Sequence, residues 1–267
     1  MLLAVLGDPL AFTRSPELHR AGLAWLGLPG ESVALRTPAD GLEARLGELA
    51  RAGYAGVNLT HPLKEAVLPL LAHLSPDARA ARSANTVGFA PEGWWGETTD
   101  GAGFVDLLRA LGRPPDAERV VIHGAGGAAR SLALALAAAG CRNLVVAARD
   151  PARAAAAWSA IPVARLEASG PGRFEYQHSR ATLIVNATPA SSAREPMDPA
   201  TAPEATLLID LTYGPAPTPW VLAARAAGRA AEDGLGLLIH QARRSLELWT
   251  GRAVEIDPLA RAVGWPE

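Results

Sequence analysis

The sequence predicts a soluble α/β fold of two domains, and three observations carry that expectation. The 267 residues are long for one compact core. Short apolar runs alternate with helical patterns in two successive series. The second series opens on a glycine-rich turn set between a strand and a helix, the context a dinucleotide-binding turn requires. Apolar residues make up 49% and charged residues 19%, enough apolar surface for a core and well away from a disordered composition. A net charge of −2 offers no basic face, so nucleic acid is not an expected partner. The longest apolar run, Leu132 to Ala139, falls far short of the roughly 20 residues a membrane span needs, so no membrane is expected either. Met1 to Leu6 lacks a basic leader and a cleavage pattern and reads as a strand. One cysteine, Cys141, excludes an internal disulfide, and together with the missing leader it points to the cytoplasm.

The first series places strands at Leu2 to Gly7, Val33 to Leu35 and Gly56 to Leu59, with helices at Pro16 to Leu26 and Leu42 to Ala52. Such alternation suggests a parallel sheet. A helix over Gly101 to Leu111 follows, and Pro114-Pro115 before a fresh strand looks like a junction. The second series contains Val120 to His123, an alanine-rich helix, Leu144 to Ala147, Thr182 to Asn186 and Leu207 to Asp210. From about Gly236 the pattern is helical without a strand, so this end is expected to return to the first domain. Trp94-Trp95 reads as a strand or hairpin packing feature, and His19, His61 and His240, lacking metal-ligand spacing, as structural or rim residues.

In the turn, Gly124 permits the tight bend, Ala125 follows, Gly126 lets the backbone approach a pyrophosphate, and Gly127-Ala128 open the helix, with Ala129 completing a G-x-G-x-x-A pattern. Backbone N–H groups and the helix dipole then favour phosphate. Arg149 at the end of the next strand, and Arg153 one turn on, suit the 2′-phosphate of NADP. Asp150 opposes that unless it points away or caps the following helix, and the two arginines are otherwise ordinary helix-start cations.

Lys64 is the only lysine; the other 24 of the 25 basic residues are arginine. Arginine serves wherever a fixed cation suffices, whereas a lysine ammonium can exchange protons. Pro62 suggests that Lys64 lies at the start of a helix, a costly place for a cation, which points to proton chemistry over chance retention of a surface charge. Asn58 and Thr60 line one face of the preceding strand near its carboxyl end.

Separated segments in a fixed order extend these readings. They are Gly7-Asp8-Pro9 with Thr13-Arg14-Ser15-Pro16-Glu17-Leu18-His19; Asn58-Leu59-Thr60-His61-Pro62-Leu63-Lys64-Glu65; Ser83-Ala84-Asn85-Thr86-Val87; and Gly96-Glu97-Thr98-Thr99-Asp100-Gly101-Ala102-Gly103-Phe104. Then follow the glycine turn through Arg130; Arg149; Asn186-Ala187-Thr188-Pro189; Asp210-Leu211-Thr212-Tyr213-Gly214-Pro215 with Thr218; and Gly234-Leu235-Gly236-Leu237-Leu238-Ile239-His240-Gln241. The chain thereby resembles the shikimate dehydrogenase family over nearly its whole length, departing at Thr13 and Thr98, which replace a serine and an asparagine, and at Ala148 and Asp150 around Arg149.

The resemblance implies a substrate-binding α/β domain formed by residues 1–101 with 237–267, a Rossmann-type NADP domain at 102–236, and an active site in the cleft between them. It implies reversible, NADP-linked reduction of 3-dehydroshikimate to shikimate in aromatic amino-acid (chorismate) biosynthesis, by a monomer or homodimer. Lys64 would carry the proton, and Asp100 would orient it. Thr13, Ser15 and Tyr213 would meet the substrate with hydroxyls, the carboxylate resting on a helix start where Ser15 is the expected cap and Pro16 the first helical residue. Thr60, Asn85, Asp100 and Gln241 would bind the ring hydroxyls. Thr188, Leu211 and Gly234 would join Gly124 to Ala128, Arg149 and Arg153 at the cofactor. Taken singly, Ser15, Thr60 and Asn85 serve equally well as caps or turn residues. A quinate-active or other polyol dehydrogenase of the same fold, and a cofactor-binding sensor without catalysis, remain alternatives.

Overall fold

The computed structural model describes residues 1–161, 164–168, 175–188 and 196–265, and the side chains of Arg153 and Glu175 and the residue Pro189 lie outside that description. The chain divides into two compact units, Met1–Gly103 with Leu238–Glu267, and Phe104–Leu237. It passes from one to the other inside a helix, and the Pro114-Pro115 pair lies within the second unit.

In the first unit β1 (Leu2–Gly7) leads to α1 (Ser15–Trp25), β2 (Glu31–Arg36), α2 (Leu42–Arg51), β3 (Tyr54–Leu59) and the single turn α3 (Leu63–Ala66). β4 (His73–Leu74), α4 (Pro76–Ala81), β5 (Thr86–Ala90) and β6 (Gly93–Glu97) follow, and then α5 (Asp100–Ala110), in which the units divide. The sheet order is β2-β1-β3-β5-β6-β4. β1 runs parallel to β2 and β3, but β5 is antiparallel to both β3 and β6, so the sheet is mixed and not parallel throughout. The cause is the tight Pro91-Glu92 connection, which brings Ala90 opposite Gly93 and leaves no room for a crossover helix. Trp94 and Trp95 stand on this hairpin, Trp94 edge-on to Phe89. Ala4, Leu6, Val57 and Leu59 of the sheet pack against Leu42, Leu46 and Leu49, spaced at three and four residues along α2.

The second unit comprises the rest of α5, β7 (Arg119–His123), α6 (Gly127–Ala138), β8 (Asn143–Ala148), α7 (Pro151–Trp158), β9 (Ala164–Ala168), α8 (Glu175–His178), β10 (Leu183–Asn186), β11 (Leu207–Asp210), α9 (Pro219–Ala226) and β12 (Ala231–Glu232). Its sheet is parallel throughout in the order β12-β11-β10-β7-β8-β9, the strand order of a dinucleotide-binding fold. β7, β10 and β11 are apolar along most of their length because both faces are covered, with Val121, Ile184 and Leu208 meeting Trp220 and Val221 of α9 in one cluster. α10 (Leu235–Thr250) starts in the second unit and continues in the first, which also holds α11 (Ile256–Val263). Among the described residues no helix is long and apolar enough to cross a membrane.

Candidate active site

Register brings the first unit's polar groups to one end of its sheet. Val5 pairs with Asn58, Asn58 with Thr86, and Thr86 with Glu97, so the residues just past β1, β3 and β6 and just before β5 share an edge. Thr60, Asn85 and Thr98 to Asp100 therefore converge despite their separation in sequence.

At the centre of this edge the Lys64 Nζ donates to Asp100 Oδ2 at 2.6 Å, with the lysine side chain 22% exposed and the aspartate 6%. The expected helix start is not what holds the lysine. α3 is a single turn that begins at Leu63, too short for an appreciable dipole, and the carboxylate supplies the field instead. The other carboxylate oxygen, Oδ1, accepts from Asn85 Nδ2 at 3.0 Å. Asn85 Nδ2 also lies 2.9 Å from Gln241 Oε1, and the Gln241 amide donates to Leu238 O. Gln241 reaches Asn85 because α5 and α10 touch at Gly103, where an added Cβ would sit 2.7 Å from Gln241 N. Lys64, Asp100, Asn85 and Gln241 thus form one hydrogen-bonded set.

Thr13 and Ser15 form a second group. Thr13 Oγ1 accepts from Ser15 N and donates to Ser15 Oγ, both at 3.2 Å. Ser15 is not the cap of α1. Arg14 occupies that position, its carbonyl accepting from Glu17 and Leu18 and its guanidinium paired with Glu17, so Ser15 is the first helical residue and Pro16 the second. Thr60 is half-buried, and its backbone N–H donates to Leu6 O. Tyr213 belongs to the second unit and is half-buried there.

Beneath this edge lies a buried polar layer around Asn58. His19, expected to be structural or at a rim, is wholly buried and joins Ser32 Oγ and Asn58 Oδ1, each at 2.8 Å. The Asn58 amide in turn reaches Asn85 O, Thr86 Oγ1 and Ser245 Oγ at 2.9 to 3.1 Å. His61 is exposed, whereas His240 is buried. Burial lowers the His19 pKa to about 4 from its usual 6.5, so the imidazole is neutral. Unfolded chain takes up a proton that the folded unit refuses. This contribution is complete above about pH 6.5 and lost as pH falls through 4, amounting to about 2 kcal/mol by pH 5. His123 and His178 are shifted in the same direction by burial. Thermal denaturation at pH 7 and pH 5 is expected to show a lower Tm at the acid value; an unchanged or higher one would contradict it.

In the second unit, His123 faces Ala147 on one side and Asn186 on the other, and Asn186 faces Asp210. The residues that follow, Gly124, Arg149, Thr188 and Leu211, consequently lie at one carboxyl edge of the sheet. Gly124 has φ +107°, and a Cβ there would meet Ala187 O at 2.7 Å, so this bend excludes a side chain. Ala125 O accepts from Arg130 and Trp158 at 3.2 Å each, which pins the turn. Gly126 stands at the cap of the 12-residue α6 without a side-chain cap bond, and a Cβ built on it meets nothing within 4 Å. Open space over the first N–H groups of a helix, at Gly126, Gly127 and Ala128, fits a pyrophosphate. Arg149 is exposed just past β8, while Asp150 spends its carbonyl on Ala154 N at the start of α7. Thr188 donates to Asn186 Oδ1 through both N–H and hydroxyl, and Asn186 donates to Asp210. Gly234 abuts Leu211, where a Cβ would lie 2.2 Å from the carbonyl oxygen. The residues present therefore fit a phosphorylated dinucleotide.

A partly exposed lysine hydrogen-bonded to a carboxylate, on a chain that also builds a dinucleotide turn, suits a nicotinamide-dependent dehydrogenase acting on an alcohol. Comparison with known proteins agrees. A profile of the shikimate dehydrogenase substrate binding domain matches residues 5–87, and one of the shikimate 5′-dehydrogenase C-terminal domain matches residues 234–263. The chain is 38% identical over 272 residues to the shikimate dehydrogenase (NADP(+)) of Rhodospirillum rubrum, covering 97% of this chain and 94% of that one. Shikimate 5-dehydrogenase from Thermus thermophilus, solved with NADP(H) and shikimate, has a TM-score of 0.86 and 35% identity, covering 99% of this chain and 98% of that one. Quinate dehydrogenase from Corynebacterium glutamicum, solved with NAD, has a TM-score of 0.83 and 30% identity, covering 98% of both chains. The chain belongs to the shikimate dehydrogenase family.

Proposed function

We propose that this protein catalyses the reversible NADP-linked reduction of 3-dehydroshikimate to shikimate, the step this family performs in aromatic amino-acid (chorismate) biosynthesis. The observation that carries the reading is the Lys64–Asp100 pair, 2.6 Å apart and partly open to solvent, hydrogen-bonded to Asn85 at the polar end of a sheet. NADPH supplies the hydride when bound. Lys64 Nζ gives a proton to the oxygen of the ketone as it becomes an alkoxide, and takes it back in oxidation. Asp100 holds Nζ at that oxygen.

Residues 1–101 with 237–267 form the substrate domain in this reading and residues 102–236 the NADP domain. Thr13 and Ser15 take the substrate carboxylate, Tyr213 adds a hydroxyl, and Thr60, Asn85, Asp100 and Gln241 take the ring hydroxyls. Gly124 through Ala128 cradle the pyrophosphate, Arg149 and Arg153 take the 2′-phosphate, and Thr188, Leu211 and Gly234 border the nicotinamide half. The enzyme works in the cytoplasm, as a monomer or homodimer.

The test is the initial rate of oxidation of shikimate and of quinate, each with NADP and with NAD. Shikimate with NADP is expected to be the fastest pair; if it is not turned over, the substrate assignment fails. Arg149→Ala is expected to raise KM for NADP by about tenfold or more while leaving KM for NAD nearly unchanged, because it removes a charge-assisted bond to the 2′-phosphate. Equal effects on both cofactors would contradict the role given to Arg149.

A further inference from the structure

We infer that Thr99 is a positioning residue for the proton transfer, clamping the Asn85 amide so that Asn85 holds the Asp100 carboxylate against Lys64. This rests on the activity proposed above and adds to it a residue that the substrate does not need to touch.

Thr99 grips both ends of one side-chain amide. Its backbone N–H donates to Asn85 Oδ1 at 2.7 Å, and its hydroxyl packs against the same amide, 2.9 Å from Nδ2 and 3.2 Å from Oδ1, while the two hydrogens on Nδ2 are shared among Asp100 Oδ1, Gln241 Oε1 and this hydroxyl. The N–H can only donate and so sets which end of the amide is oxygen, the hydroxyl braces the amide in that place, and a flip would turn Oδ1 toward the Asp100 carboxylate, oxygen against anion. With the amide fixed, a hydrogen on Nδ2 reaches Asp100 Oδ1 at 3.0 Å, leaving Oδ2 for the lysine at 2.6 Å. The clamp is itself braced. Thr99 Oγ1 is within 3.3 Å of the hydroxyls of Thr86 and Ser245, and Thr99 O accepts from Gly103 N in the first turn of α5, which begins at Asp100. Thr99 is 2% exposed, and Thr86 and Ser245 are fully buried, so no water competes for these bonds.

Thr99→Val keeps the shape and the N–H jaw and removes the hydroxyl jaw; Thr99→Ser restores the hydroxyl. Two quantities are read. The first is kcat against KM for shikimate, together with the pH profile of kcat. The second does not depend on the substrate: with lysine labelled at Nζ, the chain's only lysine gives a single ammonium signal, whose hydrogen exchange reports how firmly Lys64 is held. Valine is expected to lower kcat by about 3- to 10-fold at nearly constant KM, to displace the pH profile, and to speed ammonium exchange several-fold, with serine returning all three toward native. Native exchange and native kcat in the valine variant, or a serine variant that behaves like valine, would overturn the inference. Should the valine variant fail to fold, Thr99→Ala is read by the same quantities. A native enzyme silent toward shikimate would count against the proposed activity alone, because the ammonium signal still decides the role of Thr99.

Discussion

Lys64→Arg lowers kcat for shikimate oxidation by about 10²- to 10⁴-fold, the usual worth of a positioned general acid–base group, while shikimate and NADP still bind. Arginine keeps the positive charge and can pair with both oxygens of Asp100, so the electrostatic setting survives. What disappears is an amine that can pass a proton to the substrate oxygen and take it back. Steady-state rates together with equilibrium binding of shikimate decide the matter. A variant as active as the native enzyme would remove Lys64 from the chemistry, and one that lost binding and rate together would make it a substrate anchor.

The second large effect is on stability. Asn58→Ala is expected to cost the first unit about 2 to 3 kcal/mol, because it leaves the buried ring N of His19 without its partner and takes one bond each from the carbonyl of Asn85 and the hydroxyls of Thr86 and Ser245, which keep their bonds to Leu59 N and to each other. Water cannot replace the amide without opening the layer, since His19 and Ser245 are fully buried. Urea denaturation should show a lower midpoint at an unchanged slope. A midpoint within experimental error of native would mean that the layer is not cooperative.

How much of this was legible in the sequence follows from the range of each interaction. The strand, glycine turn and helix from Arg119 to Ala138 are local, and the pattern that predicts them is the pattern that folds. The motifs pointed to Lys64 and Asp100 separately, and the structure shows that the two meet across 36 positions. The Trp94-Trp95 pair pointed to the β5–β6 hairpin, but the strand bounds were not legible because Gly88 and Gly96 interrupt the period-two pattern. β9 escaped notice because Arg165 and Glu167 alternate with small apolar residues that bury little surface. Ser245 lies 146 to 187 positions from Thr99, Thr86 and Asn58, and no spacing rule connects a serine in a helix to hydroxyls on a sheet. The displaced start of α1 is a smaller miss of the same kind: Arg14 closes the first turn through its ion pair with Glu17, a choice between neighbouring caps that composition does not settle.

The ladder between β8 and β9 ends at Ala148, paired with Ala168, so Arg149 and Asp150 are the first residues the sheet does not bind on that edge. Among the described residues, neither position belongs to the strand pairing. Under the role proposed for Arg149, the preference between phosphorylated and unphosphorylated dinucleotide can be retuned at these two positions without renegotiating the architecture, whereas the glycine bend one strand away, closed over Ala187, leaves no such freedom.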